Sequence, residues 1–238
     1  MKIEMSGCEP AAAPMLPLEA ELFPRLTDSE RARANRFRFH RDRLAFVFGR
    51  ALVRSTLSRN APTPSGGWIF ETNTYGKPAA FAPSRTEALR FNISHSSGLL
   101  AAAFARGRHV GIDIEPLNRE AHLHIARDAF APAEISFLNS LPTDRRSAAF
   151  FHLWTLKEAY VKARGMGLSI PLTAFAFSFD PTSIWFDPMQ PETVGQDPDR
   201  WFFHQEIVRE QVLAVAADCE PNEQLRVSIS ETFAEELL

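Results

Sequence analysis

The stretch FHLWTLKEAYVK, residues 151–162, carries the strongest structural signal in this chain. Read as a helix, it places Glu158 and Lys162 one turn apart on the same face, because side chains four residues apart are neighbours. The stretch is followed by Gly165-Met166-Gly167. A carboxylate and an ammonium this close together, ahead of a glycine-containing loop, indicate a site that handles both a metal ion and a phosphate.

A second stretch, GIDIE at residues 111–115, supplies two more carboxylates. As a strand, it directs Asp113 and Glu115 to one side and the two isoleucines to the other. Three carboxylates from two elements suit a hard cation such as Mg²⁺, which prefers oxygen ligands. The pattern therefore predicts a magnesium site formed by Asp113, Glu115 and Glu158.

The composition is that of an ordinary soluble globular protein of one or two domains, with 238 residues, 45% hydrophobic and 23% charged. The formal net charge of −3 gives no overall attraction to nucleic acid or to a membrane. The basic residues are unevenly placed, however, since residues 25–59 hold ten arginines and no lysine against three acids. This concentration predicts an anionic partner for the first third of the chain.

The two cysteines, Cys8 and Cys219, are too few for a disulfide framework, which favours a reducing compartment. The N-terminal residues include acids and prolines where a secretion signal needs an apolar core. The longest apolar run, residues 99–105, is far too short to cross a bilayer. We therefore expect a cytoplasmic protein without membrane contact.

Capping and periodicity signals predict the helices. Thr27 and Glu30 form a capping box that starts a short helix ending near Arg36. A longer helix is expected over residues 42–59, and the helix of the opening stretch over residues 143–164. Residues 1–24 show no sustained period. Further predictions are a short helix at residues 132–138, strands at 68–71, 91–94, 175–179, 201–209 and 211–217, and loops at 61–67 and 180–200.

Residues 99–105 and 110–115 are interpreted as two buried strands of one hairpin. The order of long helix, glycine-containing loop and strands occurs once before this point and once after it. A seam near Arg108 would then divide the chain into two similar halves, with the acidic residues facing a cleft between them.

Each candidate residue also has an ordinary structural interpretation. The acids of residues 111–115 fit any half-exposed strand, and Glu158 with Lys162 fits a solvated ion pair on a helix. His95 fits a loop histidine, and Lys77 a solvated turn residue. The arginines of the first third fit a solvated or RNA-facing surface. The apolar neighbours of both acidic elements argue for burial, where an unpaired acid is unfavourable.

Four short motifs occur along the chain in one order. They are Gly76-Lys77-Pro78, Phe91-Asn92-Ile93-Ser94-His95-Ser96, Gly111-Ile112-Asp113-Ile114-Glu115, and Trp154-Thr155-Leu156-Lys157-Glu158-Ala159 with Lys162 and Gly165-Met166-Gly167-Leu168. Together they resemble the 4′-phosphopantetheinyl transferases of the larger, surfactin-synthetase type, over roughly residues 25–175. The resemblance implies an α+β fold of two pseudo-symmetric halves, residues 1–108 and 109–238, with the active site in the cleft between them.

The resemblance also implies a reaction. Such enzymes move the 4′-phosphopantetheine arm of coenzyme A onto a serine of an apo acyl or peptidyl carrier protein, with Mg²⁺, and release 3′,5′-ADP. The carriers serve fatty-acid, polyketide or nonribosomal peptide synthesis. The enzyme would act as a monomer, with no nucleic-acid partner. The carrier is expected to dock on residues 116–138 and on the loop after Gly165, with Phe137, Leu138 and Met166 as apolar anchors.

The family pattern assigns roles to residues of both halves. Asp113, Glu115 and Glu158 would bind Mg²⁺, Glu158 would take the serine proton, and Lys162 and Asp113 would complete the catalytic set. The first half would contact the phosphates and adenine of coenzyme A. One arginine of the pattern falls on Ala45, so a neighbouring arginine is expected to replace it. The cofactor-binding residues expected on this basis are Arg31, Arg33, Arg43, Arg50, Lys77, Ser94, His95, Lys157 and Lys162.

Two other functions fit parts of the sequence. A magnesium-dependent nuclease or phosphodiesterase also uses clustered carboxylates with a lysine, and it would hydrolyse its substrate with no carrier present. An arginine-rich nucleic-acid-binding module would use residues 25–59 and bind with a steep salt dependence. Neither alternative accounts for four motifs in one order.

Overall fold

The computed structural model describes residues 1–7, 15–60, 68–81 and 89–237. Within these ranges the chain forms six α-helices and eleven β-strands, so the predicted α+β class is confirmed. The predicted loop at residues 61–67 lies outside them. The helices are α1 (Met15–Leu22), α2 (Asp28–Ala34), α3 (His40–Asn60), α4 (Ala126–Ala129), α5 (Pro132–Ser140) and α6 (Thr143–Arg164). The strands are β1 (Lys2–Gly7), β2 (Ile69–Thr72), β3 (Pro78–Phe81), β4 (Leu89–Ser96), β5 (Leu99–Arg106), β6 (Val110–Pro116), β7 (Phe175–Ser178), β8 (Ser183–Phe186), β9 (Trp201–Val208), β10 (Gln211–Asp218) and β11 (Ser228–Phe233).

The first half is built on a six-stranded sheet with the order β11-β1-β5-β4-β3-β2. Neighbouring strands run antiparallel except β1 and β11, which are parallel. Helix α3 packs against this sheet and buries Val47, Phe48 and Leu52, as its apolar spacing predicted. The core of the first half therefore lies between α3 and the sheet.

Helix α2 begins at the predicted capping box. The backbone N–H of Thr27 donates to Glu30 Oε2 at 2.9 Å, and the backbone N–H of Glu30 donates to Thr27 Oγ1 at 3.3 Å. Glu30 Oε2 also accepts a hydrogen bond from Arg54 Nη2 of α3 at 2.7 Å. The box therefore fixes both the start of α2 and its position on α3.

The second half is built on a three-stranded sheet, β6-β10-β9, with α6 packed on it. The helix buries Leu153, Leu156 and Tyr160. The ring of Tyr160 lies 4.7 Å from that of Phe175 and 4.8 Å from that of Trp201, centroid to centroid. Strands β7 and β8 form a separate hairpin beside this core. Both halves combine helices with a sheet, but the sheet of the first half has six strands and that of the second has three.

The prediction that residues 99–105 and 110–115 form a hairpin is wrong, because the two strands belong to different sheets. Strand β5 pairs with β1 and β4, whereas β6 pairs with β10. The two sheets contact each other through side chains instead, with alanines of β5 and isoleucines of β6 in one buried cluster. Both strands are largely buried, and their sequence does not reveal which neighbour supplies the hydrogen bonds.

The segment of residues 228–237 packs with the first half of the chain. Strand β11 pairs with β1, and the 3₁₀ helix Ala234–Leu237 packs on α3. The predicted second half, residues 109–238, is therefore corrected, because its last segment completes the first sheet. Strand β1 and helix α1 lie in residues 1–24, where no element was predicted. Strand β8 likewise lies in the predicted loop at residues 180–200.

No helix in the part of the chain that the structure describes is long and apolar enough to span a bilayer. Cys219 is a free, half-buried thiol, and Cys8 lies outside the described residues.

Candidate active site

Helix α6 rests directly on strand β6 because position 111 is glycine. A Cβ atom at Gly111 would lie 2.0 Å from the carbonyl oxygen of Ala159 and 2.3 Å from the backbone nitrogen of Ala163. Only glycine permits so close an approach of the two backbones. The contact brings the face of α6 that carries Glu158 and Lys162 next to the carboxylates of β6.

Asp113, Lys162 and Ser94 form a cluster that joins the two halves. Lys162 Nζ lies 2.5 Å from Asp113 Oδ1 and 3.3 Å from Ser94 Oγ. The Ser94 hydroxyl donates to the same oxygen of Asp113 at 2.9 Å. Ser94 belongs to β4 of the first sheet, Asp113 to β6 of the second sheet and Lys162 to α6. The structure therefore brings three of the predicted site residues together at the seam.

Glu158 and Glu115 lie beside this cluster. Burial raises the pKa of Glu158, and repulsion from Asp113 adds to the rise while Lys162 opposes it. Burial also raises the pKa of Glu115, as does repulsion from Asp113. The Glu115 carboxylate pairs with Arg119 at 2.8 Å. The three carboxylates repel one another, which favours a cation or a proton between them.

The described residues contain no group of three acidic, histidine or cysteine side chains arranged to hold one metal ion. Lys162 is bound to one oxygen of Asp113, and Arg119 is bound to Glu115. The donor set nevertheless fits a hard cation, because Oδ2 of Asp113 is buried without a hydrogen-bond partner. Magnesium binding by Asp113, Glu115 and Glu158 stays a prediction.

His95 lies in a cavity of about 520 Å³ between the start of α3 and the turn that joins β4 to β5. None of the three carboxylates lines this cavity. Arg41 and Ala45 of α3 line it together with residues 95–100. Ala45, where the family arginine is missing, therefore faces the same cavity as Arg41. Sequence reasoning missed Arg41 because the register of the first turn of α3 decides which arginine faces the cavity.

Two of the four arginines predicted to bind coenzyme A have structural partners. Arg31 donates to two backbone carbonyls and pairs with Asp28. Arg43 Nε lies 2.6 Å from Glu19 Oε1 and so ties α3 to α1. Each of these guanidinium groups is therefore held by contacts inside the protein.

Of the other two arginines, one is partly buried beside an acid and the other is exposed. Arg50 lies 3.4 Å from Glu30, and its Nη1 atom is buried without a hydrogen-bond partner. Arg33 is exposed and lies over the ring of Phe46 at 5.3 Å. The region therefore remains basic, although the acids inside it neutralise part of the charge seen in the sequence.

Lys77 joins the two halves at the end of α6. Its Nζ atom donates to the carbonyl oxygen of Ala163 at 2.8 Å and to that of Val110 at 2.9 Å. From the same turn, Asn73 Nδ2 donates to the carbonyl oxygen of Gly165 at 2.7 Å. A cation is favourable at the C-terminal end of a helix. The ammonium contacts backbone carbonyls rather than another predicted site residue, so its role near a phosphate stays a prediction.

Burial lowers the pKa of Lys77 to about 8, from its usual 10.5, and the nearby Arg90 contributes to the shift. Between these values the unfolded chain holds a proton that the folded chain has lost, so stability rises with pH in this window. We expect the free energy of unfolding of the wild type to gain on the order of 1 kcal/mol relative to Lys77→Met between pH 8 and pH 10. Urea unfolding at both pH values measures this difference, and a difference that stays constant with pH would contradict the buried cation.

The prediction that Lys157 binds coenzyme A is wrong, because the side chain is fully buried on another face of α6. Its Nζ atom lies 2.7 Å from Glu134 Oε2. It also donates to the carbonyl oxygens of Leu172 and Phe175 at 2.7 and 2.6 Å. All three N–H donors of the ammonium are used inside the protein.

Comparison with known proteins matches both halves of the chain to one family. A family model described as the 4′-phosphopantetheinyl transferase superfamily matches residues 109–216, and one described as 4′-phosphopantetheinyl transferase, N-terminal, matches residues 18–105. The transferase HetI of Nostoc sp. is 38% identical over 150 residues, which cover 63% of this chain and 63% of HetI. Sfp of Bacillus subtilis is 36% identical over 151 residues, 63% of this chain and 65% of Sfp.

Another transferase of Bacillus subtilis is 31% identical over 158 residues, which cover 66% of this chain and 68% of the relative. The matched region spans just under two thirds of the length of HetI and Sfp. The fold, the seam and these similarities together define the class: the chain belongs to the 4′-phosphopantetheinyl transferase superfamily. Its similarity to Sfp confirms the predicted resemblance to the larger, surfactin-synthetase type.

Proposed function

We propose that this protein transfers the 4′-phosphopantetheine arm of coenzyme A to a serine of an apo carrier protein, with Mg²⁺, and releases 3′,5′-ADP. The observation that carries the proposal is the cluster of Asp113, Lys162 and Ser94 across the seam, with Glu158 beside it, in a chain of this family. The cluster supplies a base, a cation and hydroxyl or carboxylate oxygens within one small volume.

Glu158 is the proposed general base. In the reaction, the serine oxygen forms a bond to the phosphorus that carries pantetheine, and the bond from that phosphorus to 3′,5′-ADP breaks. The serine proton passes to the Glu158 carboxylate, directly or through a water molecule. Within the described residues, neither a hydrogen bond nor a salt bridge engages this carboxylate. Its raised pKa makes it a stronger base than an ordinary glutamate.

Lys162 is the proposed electrostatic partner of the phosphates. Its side chain is 27% exposed and pairs with Asp113, so its ammonium is both held at the seam and accessible. Charge develops on the departing phosphate, and a cation fixed nearby stabilises it. A magnesium ion would neutralise pyrophosphate charge when bound, and Asp113, Glu115 and Glu158 are the residues proposed to hold it.

The nucleotide end of coenzyme A is proposed to bind on the first half. The cavity that contains His95 opens against α3, and Arg41 supplies a guanidinium there. Arg33 is exposed on the same half, and Arg50 has a buried Nη1 atom without a hydrogen-bond partner among the described residues. We therefore propose that the first half contacts the nucleotide. Residues 109–216 supply the metal-binding carboxylates and the catalytic helix in this proposal.

The carrier is proposed to dock near α5. Phe137 is 37% exposed there, and its ring lies 5.5 Å from that of Phe179. The prediction for Leu138 is corrected, because this residue is 4% exposed and belongs to the core. Met166 also packs against that core. The proposal includes a monomeric enzyme in the cytoplasm, as expected from the sequence.

Intact-mass spectrometry of a carrier tests the proposal. The protein is incubated with coenzyme A, MgCl₂ and an apo acyl or peptidyl carrier, and the carrier is then weighed. We expect a mass gain equal to the phosphopantetheine arm, lost when EDTA is added or when the carrier serine is replaced by alanine. Hydrolysed nucleotides without any carrier gain would instead favour the nuclease, and salt-sensitive nucleic-acid binding without turnover would favour the arginine-rich module.

A further inference from the structure

We propose that the buried pair of Lys157 and Glu134 is a positioning device that sets the rotation of α6 about its own axis. By fixing this rotation, the pair would keep Glu158 and Lys162 directed toward Asp113. The inference rests on the proposed function only in naming Glu158 and Lys162 as reacting groups.

The Lys157 ammonium is held in one position by contacts on several sides. Both members of the pair are 0% exposed, and their charged atoms lie 2.7 Å apart. Two backbone carbonyls of residues 172–175 accept the other N–H groups. The ammonium also lies over the ring of Phe175, 4.4 Å from its centroid, and 5.7 Å from that of Phe130.

Glu134 is fixed just as firmly. Its Oε2 atom accepts a hydrogen bond from the backbone N–H of Ala131 at 2.8 Å, at the start of α5. Its Oε1 atom accepts one from the backbone N–H of Phe177 at 2.9 Å, in β7. The pair therefore ties α6 to α5 and to β7 through groups that cannot move independently.

A small rotation of α6 about its axis is enough to displace the Glu158 carboxylate from its position for reaction. Lys157 and Glu158 are consecutive, so any turn of the helix that moves one side chain moves the other. At a side-chain radius of about 5–6 Å, a rotation of about 10° displaces a carboxylate by about 1 Å. A misplacement of that size can lower a rate by about 10²-fold.

Stability alone does not account for a buried charge pair. Removing two charges from water is so unfavourable that replacement of such a pair by uncharged residues is often neutral or stabilising. Apolar packing, by contrast, tolerates small shifts of one element on another. An apolar core can lose its single well-ordered arrangement before it loses stability. Directional bonds from one ammonium to three acceptors do not tolerate such shifts, which fits a positioning role.

The double variant Glu134→Gln/Lys157→Met tests the proposal. The glutamine amide oxygen still accepts from one of the two backbone N–H groups, and its NH2 group donates toward the freed carbonyls. We therefore expect the variant to be less stable than the wild type and still to fold. We expect kcat to fall about 10- to 100-fold while KM for coenzyme A stays within about threefold. Val161→Ala, a buried change on the same helix, is the matched control. It should lower stability through a cavity and leave kcat within about twofold.

A crystal structure of the double variant gives a readout that does not depend on activity. We expect α6 to be rotated and the contact between Lys162 and Asp113, 2.5 Å in the wild type, to be broken. An unchanged contact overturns the positioning role whatever the rate. Absence of transfer by the wild type overturns the proposed function instead, and the structural comparison still decides this inference. If the double variant does not fold, Glu134→Asp, which keeps the charge and shortens the arm, is compared by the same two measurements.

Discussion

Replacing Glu158 by glutamine should lower kcat for carrier modification by about 10²- to 10⁴-fold, the range that a positioned general base contributes. Glutamine has nearly the same shape and fills the same half-buried space, so neither α6 nor its seat on β6 should change. Binding of coenzyme A without added Mg²⁺ should remain within about threefold of the wild type, because the nucleotide contacts proposed here come from the first half. The variant should therefore bind its substrate and fail to transfer it.

Single-turnover mass spectrometry of the carrier measures the rate, and calorimetric titration measures coenzyme A binding. Glu206→Gln is a matched control, since this half-exposed glutamate of β9 pairs with His204 away from the cluster and should leave the rate unchanged. Turnover of Glu158→Gln near that of the wild type would remove Glu158 as the base. Loss of coenzyme A binding together with turnover would assign it to substrate binding rather than to proton transfer.

The sequence predicted the central part of this site because its signals are local. Residues four apart on one helix must share a face, which placed Glu158 with Lys162. Alternation along a strand likewise placed Asp113 with Glu115. Helix periodicity also indicates that Lys157 is buried. Its neighbours one turn away, Leu153 and Val161, are apolar and buried, so Lys157 lies in the buried row of α6.

What the sequence did not predict depends on partners far apart in the chain. Strand β11 pairs in parallel with β1, and no local pattern reports such a distant neighbour. The arginine-rich first third is a similar case. Glu19 and Glu30 bind Arg43 and Arg54 across helices, so a stretch that looks strongly basic is partly neutralised once it folds.

Replacing Gly111 by alanine should be the most destabilising single change at the seam. The added Cβ would lie 2.0 Å from the carbonyl oxygen of Ala159, and this oxygen belongs to the helix backbone. Helix α6 must then move away from β6, because no side-chain rotation relieves a backbone clash. We expect the free energy of unfolding to fall by about 3 kcal/mol or more, with a melting temperature roughly 6–12 °C lower. Transfer should fall as well, since the same movement carries Glu158 away from Asp113.

Gly49→Ala separates this steric effect from the general effect of adding a methyl group to a buried glycine. A Cβ at Gly49 would find its nearest neighbour, the Ile93 side chain, at 3.5 Å, an ordinary van der Waals contact. Alanine also favours the helix by up to about 1 kcal/mol, so this variant should be as stable as the wild type or slightly more stable. Urea unfolding of both variants, followed by circular dichroism, compares them directly. Equal stabilities would mean that α6 does not rest on the backbone of β6, and the geometry that brings Glu158 and Lys162 to Asp113 would lose its physical basis.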